Sequence, residues 1–479
     1  MDVRGHQQQQ LKLRSVKRWT FWSLSIAIIS LVLLLYNNRP AKSNQTWSNY
    51  KPASQAQFKA KPRKTACGAV GQDPPGEKAP LLPVNGTHTL LLSAYLEHRT
   101  ENQEVRVIAV VLGSEAAAYR CHLCCEGHNI STSLHISEGH VNIHKDYFGF
   151  QYGTADIMCP VPSGCKTPSH VSVTSAAEDP DVGPPVFLAV LNQRTSDSFP
   201  HNFTVCISTM FDFTNVLQLV QSMEMLQLLG VSRVVIYKTS CDADTQRLLD
   251  YYTDKGFIEV IPWSMSDHLN VSKSWRPEKA PGDLHYYGQI PALNDCVYRY
   301  MYQSRYVALH DVDELILPQS VDRWNDLMPL LEQKNGADKC YMFENYIFPP
   351  TFKLPPPVSE THHYLQDKEK PTWQGISGVN ILDHLYHEPN TRVVRDNFKI
   401  IVSPRAVIET SVHGLLSSYA SCVWVDNSLA RMYHTRAPSQ TGLTPDKLIY
   451  DGRLLGYSAR LIQAVNTVLK DAGLIQKDI

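Results

Sequence analysis

The sequence carries almost no net charge: 45 Lys and Arg stand against 46 Asp and Glu, leaving −1 over 479 residues. With no field of one sign, nothing draws the whole protein to nucleic acid or acidic lipid, and no nucleic-acid partner is expected. Charge is missing altogether from residues 19–36. At about 1.5 Å per residue that run reaches about 27 Å as a helix, close to the hydrocarbon thickness of the thinner membranes early in the secretory pathway. It also lacks the small-residue ending of a cleaved signal peptide, since it closes on Leu33, Leu34, Leu35 and Tyr36.

Arg4, Lys12, Arg14, Lys17 and Arg18 all precede the run. The positive-inside rule therefore assigns 1–18 to a cytoplasmic tail, 19–36 to a transmembrane signal-anchor and the remainder to the lumen, as in a single-pass type II protein of the Golgi membrane. Residues 37–66 are poor in aliphatic side chains and rich in Lys, Pro, Ser, Gln and Asn, the composition of an unfolded stem. Acceptor sequons at Asn44, Asn85, Asn129, Asn202 and Asn270 agree with a lumenal location. The 11 cysteines lack an even count: they suit disulfides in an oxidising compartment and leave at least one unpaired or joined to another chain.

Two lumenal domains are expected. Between residues 67 and 195, short β-prone runs such as 89–95 and 105–112 alternate with Gly and Pro breaks around Cys121, Cys124, Cys125, Cys159 and Cys165, which reads as a small β-rich domain tied by disulfides. A zinc site on Cys121, His122, Cys124 and Cys125 is the sharper alternative, but the crowded spacing fits no familiar finger. The Pro/Asp-rich stretch 178–185 loosens the join to the second domain, residues 196–479.

There the pattern changes. Strand-like runs at 203–208, 233–238 and 257–262 alternate with helical spacing at 216–229, stopped by Gly230, and at 242–254, which implies a parallel α/β sheet whose ligands sit beyond the carboxyl ends of its strands. A helical segment, 288–300, then leads into the apolar strand 305–309, followed by His310, Asp311, Val312, Asp313 and Glu314. If the strand continues, Asp311 and Asp313 share one face and Val312 packs inward. Two carboxylates placed together call for a hard divalent cation, the kind that bridges to substrate phosphates. Glu314 reads as a partner that orients a neighbour.

The stretch 288–318, with Gln289, Asn294-Asp295-Cys296 and Asp311-Val312-Asp313-Glu314, resembles glycosyltransferase family 92, which includes animal β-1,4-galactosyltransferases. Lys399-Ile400-Ile401-Val402-Ser403-Pro404 is similar to the family's Lys-x-Ile-x-x-Pro stretch, and Tyr433-His434-Thr435-Arg436 to its late His-Tyr-Arg motif, with Thr435 in place of Tyr. The likeness runs from about Asn202 to Arg436. It implies a GT-A type αβα sandwich that binds a nucleotide sugar, preceded by the β-rich domain, and an inverting reaction. By resemblance, Asp311 contacts the donor ribose or helps hold a metal, Asp313 binds the metal, and His413 or His434 completes the site. Imidazole favours Mn²⁺, with Mg²⁺ the alternative.

Inversion needs a base for the acceptor hydroxyl. Glu344, behind a strand at 340–343, is the first choice, ahead of Asp383 and Glu409. Lys399 and Arg436 would assist the diphosphate leaving group beside the metal. Trp373 is either an acceptor-stacking ring or core. The family implies UDP-galactose as donor, an N-glycan acceptor ending in galactose or fucose with galactose favoured, and allows a homodimer. Competing classes are a metal-dependent phosphoesterase, which needs more ligands than one Asp-x-Asp supplies, and a lectin-like type II Golgi protein without turnover, marked by loss of a metal carboxylate; both carboxylates are present.

Overall fold

The computed structural model describes Cys67 and residues 81–476, apart from 127–131, 179–185, 358–372, 374 and 391–396. The expected tail, signal-anchor and stem, together with Asn44, Asn129 and most of the expected loose join, lie outside the described residues. Among the described residues no helix is long and apolar enough to cross a membrane.

Short β-prone runs, several of them buried on both faces, form eight strands in the first part of the chain: β1 (Leu82–Val84), β2 (Thr89–Glu97), β3 (Glu104–Leu112), β4 (Tyr119–Glu126), β5 (Thr132–Ile143), β6 (Tyr152–Pro160), β7 (Pro168–Ser175) and β8 (Leu188–Leu191). They run in the order β1-β2-β3-β6-β5-β4-β7-β8, and β8 also pairs in parallel with β2, so the sheet closes on itself and covers its edges. Val105, Val107, Ala109 and Val111 of β3 point into a core with Leu123, Ile157, Val171 and Val173. On the other face of the same strand, Ile108 packs with Tyr298 and Met301 of the second half.

Three disulfides, Cys67–Cys124, Cys121–Cys159 and Cys125–Cys165, staple this barrel. They consume every thiol that the zinc alternative required, and His122 faces Thr174 Oγ1 at 3.0 Å instead. The zinc alternative is thereby overturned.

The second half begins with β9 (His201–Met210), α1 (Val216–Leu229), β10 (Arg233–Lys238), α2 (Ala243–Asp254), β11 (Ile258–Pro262), α3 (Gln289–Arg299) and β12 (Ser304–Leu309). Helix α1 ends where Gly230 takes φ 96° and donates to the carbonyls of Gln227 and Leu226, and Asp242 caps α2 by accepting from Thr245 N–H at 2.8 Å. Strands β9 to β12 pair in parallel in the order β11-β10-β9-β12.

After β12 come β13 (Glu314–Pro318), α4 (Trp324–Asn335), β14 (Cys340–Phe343), β15 (Asn345–Ile347), β16 (Tyr386–His387), β17 (Lys399–Val402), β18 (Val407–Ser411), β19 (Gly414–Ser418), β20 (Cys422–Trp424), β21 (Ala430–His434), β22 (Ile449–Tyr450) and α5 (Ser458–Asp471). The expected parallel pairing holds for β9 to β12, and beyond them the sheet becomes mixed. β17 joins β12 antiparallel and β14 joins β17 antiparallel, pairings that need no crossover helix, and β20 closes the row parallel to β14. A smaller sheet, β13-β21-β15, stands beside it.

The large sheet is covered on both faces. Val205, Ile236 and Ala308 pack with Leu219 of α1, Leu248 of α2 and Leu461 and Val465 of α5. On the opposite face, Val235, Val307, Ile400 and Val402 pack with Leu293 and Val297 of α3. Two further disulfides, Cys206–Cys296 and Cys340–Cys422, join β9 to α3 and β14 to β20, leaving Cys241 as the free thiol.

Barrel and sheet meet over α3. Tyr95 of β2 donates to Asp295 Oδ1 at 2.6 Å, Tyr237 of β10 donates to Oδ2 at 2.5 Å, and Arg299 lies 3.0 Å from the same oxygen. Burial opposes ionisation of Asp295, yet Arg299 and these donors hold its pKa below the ordinary value.

Candidate active site

β12 delivers Leu309 to the carboxyl edge of the parallel strands and then stops. The next residues form a turn closed by Glu314 N–H on the Asp311 carbonyl at 3.2 Å. Asp311 and Asp313 are thus brought together by a turn, not by strand alternation as expected, since the backbone is no longer extended at Val312. Val312 does pack inward, at 8% exposure.

Four elements converge on this turn. Glu314, buried at the start of β13, accepts from Asp311 N–H at 2.7 Å and from Lys399 Nζ at 3.1 Å. Lys399, the first residue of β17, also reaches Asp311 Oδ2 at 3.0 Å. Gln289 of α3 donates to Asp311 Oδ1 at 3.3 Å. His434, paired in register with Glu314 across β13 and β21, places Nδ1 3.4 Å from Glu314 Oε1 and Nε2 3.3 Å from Asp313 Oδ2. Thr435 N–H holds the Asp313 carbonyl at 2.9 Å, and Asn345 of β15 lies 3.3 Å from His434 Nδ1.

Burial works against the Lys399 ammonium, but Asp311 and Glu314 more than offset it and raise its pKa above the usual lysine value. Burial likewise opposes the Asp311 carboxylate, and Lys399 brings it below the ordinary value. Glu314 is pushed up by burial and by its acidic neighbours. For His434, burial favours the neutral ring, yet Glu314 and Asp313 draw its pKa upward. His310, enclosed behind the turn, is lowered to about 4 by burial. The cluster holds three carboxylates against one permanent cation.

These residues fit a hard divalent ion. The Asp313 side chain is 36% exposed, and among the described residues no Lys or Arg pairs with it. His434 offers Nε2 beside it, while Glu314 and Asn345 hold the ring from its Nδ1 side.

The other predicted residues fall elsewhere. His413 is exposed in the turn between β18 and β19, with Nδ1 3.4 Å from the Phe398 carbonyl. Arg436 is exposed two residues beyond His434. Glu344, between β14 and β15, is half-buried and accepts from Asn427 Nδ2 at 2.5 Å and from Asn390. Asp383 pairs with Lys353 at 3.0 Å, and Glu409 accepts from Asn142 of the barrel at 2.6 Å. Trp373 is 6% exposed in the core, its Nε1 donating to Asn466 at 2.7 Å, so it is not an acceptor-stacking ring. Asn85, Asn202 and Asn270 are exposed.

Sequence reasoning passed over an aromatic cluster. Tyr286, Tyr287 and Gly288 take φ of 27°, 53° and 75° in succession, an uncommon path for the two tyrosines. Tyr287 stacks on Phe211 at 3.7 Å and Tyr286 on Trp275 at 5.0 Å. Burial, with Asp311 and Asp313 next, pushes the Tyr286 hydroxyl up to about 12. The one local signal was Gly288 ahead of an apolar helix, which marks a left-handed entry but not the rings around it.

A parallel α/β half with clustered acids and a histidine at its carboxyl edge is the arrangement of a nucleotide-using enzyme. The profile of glycosyltransferase family 92 matches residues 201–453, over half of the chain, and the chain belongs to that family. It is 22% identical over 239 residues to beta-1,4-galactosyltransferase galt-1 of Caenorhabditis elegans, covering 48% of this chain and 52% of that protein. It is 22% identical over 225 residues to galactan beta-1,4-galactosyltransferase GALS2 of Arabidopsis thaliana, covering 47% and 39%. The chain thus spans about half the length of these relatives or less. The solved structure of S. aureus TarS 1–349 is 11% identical, covering 57% of this chain and 67% of that one, at a TM-score of 0.25, too remote to support an argument.

Proposed function

We infer that this glycosyltransferase is an inverting, metal-dependent β-1,4-galactosyltransferase of GT-A type. It moves galactose from UDP-galactose to a terminal galactose, or alternatively a fucose, of N-linked glycans. The observation that carries the inference is His434 held between Glu314 and Asp313 at the carboxyl edge of the sheet. The names of the relatives support galactose as the sugar moved. The apolar run 19–36 and the sequons support a type II position in the Golgi membrane with this part in the lumen.

Asp313 and His434 Nε2 would hold Mn²⁺, with Asp311 beside them. The ion, when bound, offsets charge developing on the diphosphate as the sugar leaves. Lys399, fixed by Glu314, keeps Asp311 ionised and oriented toward the donor. Gln289 fixes the other Asp311 oxygen. Glu344, steadied by two amide donors, is the proposed base that takes the acceptor hydroxyl proton while the hydroxyl oxygen attacks the anomeric carbon from the side opposite the diphosphate.

The test is galactose transfer by the secreted form beginning at Lys51, with UDP-galactose, Mn²⁺ and glycans ending in galactose or fucose, beside Asp313→Ala. Transfer that requires both Mn²⁺ and Asp313 is the expected result. A folded sample that binds glycan but neither transfers galactose nor hydrolyses the donor would overturn the proposal in favour of a lectin.

A further inference from the structure

The turn between β5 and β6 breaks a local rule. Phe148 and Gly149 take φ of 53° and 81°, and Phe150 N–H closes on the Tyr147 carbonyl at 3.0 Å. Two central residues with positive φ and that hydrogen bond match a type I′ turn, whose first central position ordinarily belongs to Asn, Asp or Gly. A phenylalanine there is held in a strained left-handed conformation. Its ring is also not sheltered: Phe148 is 37% exposed and Tyr147 46%. A strained and part-exposed ring adds little to stability, which makes a functional role the better reading of it.

The ring's position says what for. Phe148 meets Trp275 edge to face at 4.9 Å, and Trp275 stacks at 5.0 Å on Tyr286, three residues before Gln289, the α3 side chain that donates to Asp311. The barrel is pinned at this point, because Tyr152 N–H, just beyond the turn, donates to the Asp283 carbonyl at 3.0 Å in the segment that carries Trp275 and Tyr286. An aromatic row therefore runs from the exposed tip of the barrel to the entry of α3, whose first residue, Gln289, donates to Asp311. The C–H faces of pyranose rings pack on such surfaces by dispersion and burial. Two ring-to-ring steps out from Tyr286, the exposed end of the row offers a surface to sugars preceding the one that reacts.

We propose that Phe148, supplied by the N-terminal barrel, and Trp275 form a stacking platform for the acceptor glycan. The platform rests on the galactosyltransferase reading for its ligand, an oligosaccharide longer than one sugar.

Phe148→Asn is the decisive variant, since Asn removes the ring while restoring the residue that the turn prefers. The secreted form should keep its melting temperature or gain up to a few degrees. The KM for an oligosaccharide acceptor should rise about threefold to tenfold, with kcat, the KM for UDP-galactose and acceptor-free donor hydrolysis unchanged. Phe148→Trp should retain the wild-type KM. An unchanged acceptor KM in folded Phe148→Asn overturns the platform, and so does a rise confined to the KM for UDP-galactose, which would place the nucleotide there. Wild-type protein that neither transfers galactose nor hydrolyses UDP-galactose would sink the transferase reading alone. Glycan binding by NMR on the two proteins then still decides the platform: weaker binding by Phe148→Asn supports it and equal binding overturns it.

Discussion

Lys399 and Glu314 meet as a buried ion pair, Nζ to Oε2 3.1 Å, with each side chain 3% exposed. Such a pair contributes little net stability against a well-packed apolar replacement, but either member left alone is an uncompensated buried charge. Lys399→Met should therefore lower the unfolding free energy by about 3–5 kcal/mol. Adding Glu314→Gln should restore part of that loss, giving a coupling of about 1–3 kcal/mol in a urea double-mutant cycle. Strictly additive effects would show that the two side chains do not act as a pair.

The same glutamate faces His434 Nδ1, which gives Glu314→Gln a second expected effect. With the orienting carboxylate gone, Mn²⁺ affinity read from metal-induced shifts in melting temperature should fall about 10- to 100-fold. Asp313→Asn removes a proposed ligand, and the metal-induced shift should vanish. In chelator, Asp313→Asn should unfold within about 0.5 kcal/mol of wild type, because the side chain is half-buried at most and loses one histidine contact. A full Mn²⁺ response from Asp313→Asn would remove that residue from the metal site.

Legibility in the sequence followed the range of the interactions. Helix α1 with its Gly230 stop and the strands β10 and β11 were readable because spacing and capping are local. Asp311 and Asp313 were readable as a pair. Their geometry was not, because alternation stops applying at the turn after Leu309. The partnership of Lys399 with Glu314, and of His434 with both acids, depends on β17 and β21 arriving from about 90 and 120 residues away, which no local period records. Trp373 failed as a ligand candidate for the same reason, since only the fold shows α5 covering it.

The disulfide Cys206–Cys296 closes a separation of 90 residues between β9 and the helix that carries Gln289. In the chain-entropy picture a loop of that length is worth about 4–5 kcal/mol. The double change Cys206→Ala and Cys296→Ala should cost about that much in urea unfolding, whereas Cys241→Ala, at the free and partly exposed thiol, should stay within about 0.5 kcal/mol of wild type. Equal effects from the two would mean that the cross-link does not constrain the unfolded chain.

Asp295 makes the strongest pH prediction, because three elements depend on its charge. Tyr95 from the barrel, Tyr237 from β10 and Arg299 from α3 all favour the carboxylate, and its folded pKa lies below the ordinary aspartate value of about 3.9. A depressed folded pKa adds stability that is fully present above the unfolded value and is lost as pH falls through the folded one. Asp295→Asn should therefore be least stable relative to wild type from about pH 5 upward, by about 3–5 kcal/mol for leaving Arg299 without its buried partner. Below about pH 3.9 the gap should narrow, as the wild type takes up the proton that the variant never binds. Urea unfolding of both proteins at about pH 7, 5 and 3 reads the difference directly, and a gap that stays constant across the three would show that the carboxylate's charge does not hold barrel and sheet together.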